Sequence, residues 1–219
     1  MTRYFVGLDL GQAADYTAIS AIEVRPTPYT VQHEDRDPET RRLRTVDTTV
    51  ESIPLTHHVR HLERLPIGTP YPEQVARVKE IMARLPPGTD LIVDNTGVGR
   101  AVTDMLFLEG LTPVCVTITG GDTVNRDGPY FRVPKRDIVG ELAVSLQNKR
   151  LKIAAALPDA ETLINELLAF KVKVNLKTAH DSYEAWREGD HDDLVLSVGM
   201  AVWAATWYYS QQTGDDIVV

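Results

Sequence analysis

Four carboxylates in this chain stand where an acid is costly unless something engages it. Asp9 closes the apolar run Tyr4-Phe5-Val6-Gly7-Leu8, and Asp94 closes Leu91-Ile92-Val93. Asp192 and Asp193 stand together before Leu194 to Trp207, a run whose only polar members are Ser197 and Thr206. An acid inside an apolar strand must be paired or hold a cation. At the first turn of a helix it meets unpaired N–H groups and the positive end of the dipole. Plainer roles exist for each: Asp9 as the opening of a turn, and one member of the pair as an N-cap. One Asp suffices for a cap, however, and the second, next to Gly189 and Asp190, concentrates charge at the mouth of a buried helix. If these acids converge, they repel one another and partly protonate unless divalent cations sit among them. Hard oxygen donors with no nearby Cys select Mg²⁺ or Mn²⁺ over zinc. Two such ions about 4 Å apart could activate a water and stabilise the leaving oxygen of a phosphodiester.

The elements that must position these acids can be read from hydrophobic periodicity and turn chemistry. A first strand covers residues 4–11 and a second 18–24. The polar stretch 25–49 reads as a loop or solvent-exposed hairpin, and a third strand runs over 49–65. An amphipathic helix at 73–85 carries Val75, Val78, Ile81 and Met82 on one stripe and stops at Pro86-Pro87-Gly88. A fourth strand at 91–94, a helix at 100–108 and a fifth strand at 111–118 follow. Residues 120–133 have turn residues at both ends and suit a hairpin; helices are expected at 134–147 and 158–169, an exposed edge strand at 170–175 and a loop at 178–189. Three successive strands followed by helix, strand, helix, strand predict an α/β fold. Its central mixed sheet has five or more strands in the order 3-2-1-4-5, flanked by helices, with right-handed crossovers. The order reverses between the first and fourth strands, where sites in open α/β sheets collect beyond the carboxyl ends. Asp9 and Asp94 occupy those two ends.

Other chemistry-bearing residues have plainer readings. His57, His58 and His61 would alternate on a strand, with His57 and His61 on one face, and no Cys or carboxylate completes a ligand set. Arg41, Arg42 and Arg44 suit a solvated, charge-mixed edge better than a phosphate contact. Lys149, Arg150 and Lys152 are accounted for by the dipole at a helix C-terminus. The single Cys115, in an apolar strand, excludes a disulfide framework and fits a reducing compartment. A net charge of −8 over 219 residues argues against non-specific coating of nucleic acid, yet it is what a carboxylate cluster awaiting cations produces. No apolar run is long enough to span a bilayer, and the first residues lack signal-peptide form.

Taken together, Gly7-Leu8-Asp9-Leu10-Gly11, Leu91-Ile92-Val93-Asp94-Asn95-Thr96-Gly97-Val98-Gly99 and His191-Asp192-Asp193-Leu194-Val195 resemble the nuclease domain of phage large terminase subunits. Asp15-Tyr16-Thr17-Ala18, Val133-Pro134-Lys135 and the Ala-rich, Trp-containing last helix fit the same likeness, which spans nearly the whole chain. The resemblance implies one RNase H-like (retroviral integrase-like) domain over residues 1–219. It implies that Asp9, Asp94 and Asp192 or Asp193 hold two Mg²⁺ or Mn²⁺ ions, and that the enzyme cuts concatemeric viral DNA during genome packaging in the host cytoplasm. Double-stranded DNA is then the substrate, with an ATPase motor domain, portal and small terminase subunit as expected partners and no membrane. Lys135, Arg136 and Arg187 are candidates for phosphate contact. No Gly-x-x-x-x-Gly-Lys-Ser/Thr loop occurs, so ATP-driven translocation is not expected of these residues. A RuvC-type junction resolvase shares the metal chemistry. The Gly7-to-Gly11 turn with Thr17 also looks like the phosphate loop of actin-like kinases and ATPases, and a catalytically inactive packaging module would keep the fold.

Overall fold

A computed structural model describes residues 2–11, 15–26, 29–37, 40–50, 55–97, 99–176 and 192–213. The chain opens with β1 (Arg3–Asp9), β2 (Thr17–Pro26), β3 (Tyr29–Arg36), β4 (Leu43–Val50) and β5 (Leu55–Leu65). Then come α1 (Tyr71–Ala83), β6 (Asp90–Asp94), α2 (Gly99–Leu108), β7 (Val114–Thr119), β8 (Asn125–Asp127) and β9 (Tyr130–Pro134). It ends with α3 (Lys135–Gln147), β10 (Leu151–Ile153), α4 (Ala160–Leu176) and α5 (Asp193–Thr213).

Eight strands form one sheet in the order β10-β5-β2-β1-β6-β7-β9-β8, while β3 and β4 pair separately as a two-stranded arm. The expected order 3-2-1-4-5 is present as the inner run β5-β2-β1-β6-β7. It is not the whole order, because β10 adds to one edge and β9 and β8 to the other. The first strand pairs antiparallel with β2 and parallel with β6; β7 and β9 continue the parallel set. The carboxyl ends of β1, β6, β7 and β9 therefore share one edge of the sheet.

Period-two alternation divides the core between two faces. Phe5, Ile22, Ile92 and Val116 join α3, α4 and α5 in one cluster. Val6, Leu8, Ile19, Leu91 and Val93 join α1 and α2 in the other. Cys115 is buried, and burial pushes its thiol up to about 11, in keeping with an inert core residue. Among the described residues no helix is long and apolar enough to cross a membrane.

Four local expectations differ from what is observed. The third strand is two: β4 ends at Val50 and β5 begins at Leu55, with 51–54 outside the described residues. The stretch 170–175 is not an edge strand but the last turns of α4. No Gly or Pro interrupts it, and adding a turn to an existing helix costs far less than starting a new element. Lys152 lies not at a helix end but in β10, paired with His58 of β5. Finally, His57 and His61 lie on opposite faces. The β2–β5 register shifts between Ala21 and Ile22, pairing Ala21 with His61 and Ile22 with Val59, so Arg60 is the extra residue of a β-bulge. One inserted residue reverses which face every later side chain occupies.

Candidate active site

Asp9 and Asp94 are brought together by strand register. Leu8 of β1 pairs with Val93 of β6 in parallel, so the next residue on each strand is an aspartate, and the two stand side by side. Adjacent strands are about 4.8 Å apart. Both acids point to the α5 face, as do Phe5 and Ile92 on the same strands. Asp9 pairs across to Ala18 of β2, and Ala18 to Arg64 of β5. Arg64, Ala18, Asp9 and Asp94 thus form one lateral row on one face, at the edge where the parallel strands end.

The start of α5 lies over this row, held there by Gly7. A Cβ built on Gly7 would meet the backbone oxygen of Ser197 at 1.9 Å, so only glycine lets the helix settle onto β1. The Ser197 hydroxyl donates to the Gly7 carbonyl at 2.9 Å and lies 2.8 Å from Ser20 Oγ. Asp193 stands four residues before Ser197, about 6 Å along the helix axis. Asp9 lies two residues beyond Gly7, about 6.7 Å along the strand. These nearly equal steps set the helix terminus above Asp9. Asp9, Asp94 and Asp193 are 8%, 7% and 7% exposed. Asp192 is half-buried, and its carbonyl accepts the first intrahelical bond, from Leu196 N at 2.9 Å.

Asp94 is further fixed by its own loop. Its Oδ1 accepts a hydrogen bond from Thr96 N at 2.8 Å, while Thr96 Oγ1 accepts one from Ile118 N at 3.1 Å. Gly99 must be glycine here, because a Cβ would stand 2.2 Å from the Asp94 carbonyl oxygen.

Two residues absent from the sequence reading complete the cluster. Glu166 of α4 is 8% exposed, and its Oε2 accepts a hydrogen bond from Val195 N at 3.0 Å. It therefore satisfies an open N–H in the first turn of α5, the duty expected of an aspartate cap. Burial pushes the Glu166 carboxyl up to about 7; Arg64 and the Val195 N–H oppose that rise, and the charges of Asp193 and Asp192 add to it. Arg64 pairs with Glu166, lies 3.5 Å from Asp193 Oδ2, and places its guanidinium 4.7 Å from the Tyr16 ring centre. A signal for Glu166 existed: it shares the buried stripe of α4 with Ala160, Leu163 and Leu167, where a lone Glu needs a partner. No comparable signal marked Arg64, because the bulge at Arg60 turns it to this face.

The remaining candidates are spread along the same edge or beyond view. Lys135 begins α3 directly after β9 and is half-buried. Arg136 is exposed; its Nη1 pairs with Asp122 Oδ1 at 2.7 Å and its Nη2 donates to the Asp122 carbonyl at 2.9 Å. Arg187, Asp190 and His191 lie outside the described residues. The expected hairpin over 120–133 is present as β8 and β9, turning at Gly128. Among the described residues, no three His, Cys, Asp or Glu side chains are grouped to hold an ion as they stand. The donor chemistry nonetheless suits a hard divalent cation: carboxylate oxygens only, drawn to one face, with no thiol nearby.

A mixed sheet covered by helices on both faces, with its parallel strands ending at one edge beneath a buried helix, is a fold this chain shares with solved terminase nucleases. Two solved structures share it. The large terminase nuclease of thermophilic phage G20c superposes with a TM-score of 0.51 at 19% identity, over 91% of this chain and 81% of that one. The human cytomegalovirus terminase nuclease domain gives 0.50 at 10% identity, over 96% and 86%. At these identities the likeness is one of fold. No family model and no curated protein sequence matches the chain.

Proposed function

We propose that residues 1–219 form one metal-dependent endonuclease domain that hydrolyses DNA phosphodiester bonds and cuts concatemeric viral DNA during genome packaging. The observation that carries this reading is the register that sets Asp9 beside Asp94 beneath the start of α5. The description of both structural neighbours as terminase nucleases supports it. Asp9, Asp94 and Asp193 or Asp192 would together hold two ions. Two Mg²⁺ or Mn²⁺ ions so placed would supply charge for the attacking water and for the leaving oxygen.

The chain's own residues do the rest. Thr96 N holds the Asp94 carboxylate in one orientation. The positive end of the α5 dipole lies where Asp192 and Asp193 stand. Lys135 and Arg136, on the same edge, and Arg187 are the proposed phosphate contacts of the double-stranded substrate. An ATPase motor domain, portal and small terminase subunit would be the partners, and the host cytoplasm the setting.

Nicking of supercoiled plasmid tests this directly. The protein should cut in Mn²⁺ or Mg²⁺ and stop in EDTA. Asp9→Asn should reduce cutting to background while melting near the wild-type temperature in the absence of metal. Continued linearisation of plasmid by that variant in Mn²⁺ would refute the assignment.

A further inference from the structure

We propose that Arg64 is the resident counter-cation of the acidic pocket: it holds Asp193 while no divalent ion is bound, and so sets how tightly the ion binds. This rests on the metal reading above and adds a positioning residue to it. Arg64 comes from β5, two strands away from Asp9, and reaches the α5 face because the bulge at Arg60 reverses the strand's alternation. Its side chain is 16% exposed. The guanidinium is tied to Glu166, which is itself tied to Val195 N in the first turn of α5. Arg64 is thereby anchored to the helix end from which Asp193 projects. Its contact with Asp193 Oδ2 is the looser one, 3.5 Å, longer than a charge-assisted hydrogen bond. The buried Nε has no hydrogen-bond partner, so the guanidinium is not closed into a fully satisfied cage.

This geometry lets one contact break without the other. A divalent ion placed on Asp193 repels the guanidinium and needs the carboxylate that Arg64 engages. Arg64 can give up Asp193 and remain on Glu166 and against Tyr16. Ion and guanidinium therefore compete for one carboxylate, and by linkage each weakens the other's hold. A residue that merely braced α5 would act differently, since its loss would weaken the fold and the ion site together.

Mn²⁺ binding by titration calorimetry, with melting measured with and without Mn²⁺, separates these cases in wild type, Arg64→Gln, Arg64→Lys and Asp9→Asn. Arg64→Gln should melt lower than wild type without metal, bind Mn²⁺ roughly tenfold more tightly, and gain more in melting temperature from it. Arg64→Lys, which keeps the charge but lacks the two-pronged grip, should fall between the two. Unchanged or weaker Mn²⁺ binding by Arg64→Gln overturns the proposal. If that variant does not fold, Arg64→Lys decides by the same comparison with wild type. Should wild type and the Arg64 variants bind no Mn²⁺, or Asp9→Asn bind it as wild type does, the metal reading falls and this proposal with it. Normal wild-type binding, lost in Asp9→Asn but not tightened in the Arg64 variants, removes the Arg64 role alone.

Discussion

On the α1/α2 face of the sheet, Leu8, Ile19, Val93 and Leu106 are wholly buried among other aliphatic side chains, and the charged groups are held in ion pairs around them. There Arg77 Nε pairs with Glu63 Oε1 at 2.9 Å and Lys79 Nζ with Glu109 Oε2 at 2.7 Å. On the α3/α4/α5 face, the same strands bury Asp9, Asp94 and His57, and the helices add Glu166 and Asp193. Alternation makes this division possible: neighbouring residues on β1, Leu8 and Asp9, serve opposite faces. The aliphatic face contributes mainly apolar burial. The other face gathers several buried acids around one helix end, with Glu166 pushed up to about 7, which is the usual mark of a functional region. The division predicts that substitutions on one face change stability alone, whereas those on the other change stability, ion binding and pH response together.

The sharpest way to break this contrast is Gly7→Ala. The added Cβ would press on the Ser197 backbone at 1.9 Å, and backbone cannot rotate away as a side chain can. Either α5 lifts from β1 or the strand bends, and both move the start of α5 away from Asp9. Expected is a loss of about 4 kcal/mol or more, together with loss of plasmid cutting even at temperatures where the variant stays folded. A stable, fully active Gly7→Ala would mean that α5 does not set the site. Leu8→Ala, one residue along on the other face, should cost about 3 kcal/mol through its cavity. Its Mn²⁺ affinity and cutting rate, measured below its melting temperature, should match wild type. A large change in either would show that the two faces are mechanically coupled.

How much of this was legible in the sequence follows the same division. The inner strands, the acids at their ends and the buried last helix could be read because apolar runs ending in a carboxylate are uncommon and each reading is local. The pairing of Asp9 with Asp94 needed only the inference that the first and fourth strands are neighbours. Arg64 could not be read this way. Counting alternation from His57 gives it the wrong face, and the bulge that corrects the count is specified by pairing with β2, not by any residue at Arg60. Glu166 was legible in principle from its place on the apolar stripe of α4, but its partners come from β5 and α5, distant in sequence. The extension of α4 through residue 176 was hidden by alternating Lys and Val, a strand pattern overridden by an existing helix.

His57 sharpens the contrast at the far end of the same face. Its Nδ1 lies 2.8 Å from Ser145 Oγ, its Nε2 is buried without a partner, and burial, with Arg150 nearby, lowers its pKa from 6.5 to about 4. The unfolded chain takes up the proton near pH 6.5, whereas the folded one resists until about pH 4. Stability from this group is therefore complete above pH 6.5 and drains away as pH falls to 4, by about 3 kcal/mol in all. Glu166 acts in the opposite sense. Its folded value near 7 lies above the ordinary 4.5, so its contribution is complete below pH 4.5 and is lost as pH rises through 7. Between pH 4.5 and 6.5 the two slopes oppose each other, and the wild-type curve alone cannot apportion them. Denaturant unfolding of wild type and His57→Gln at half-unit steps from pH 4 to pH 8 can. The difference between the two curves should be flat above pH 6.5 and should narrow below it, as wild type loses what the variant never had. A difference that stays constant across the acid range would mean that His57 is protonated as readily in the fold as in the open chain, leaving the unusual titration of this face to the acids around α5.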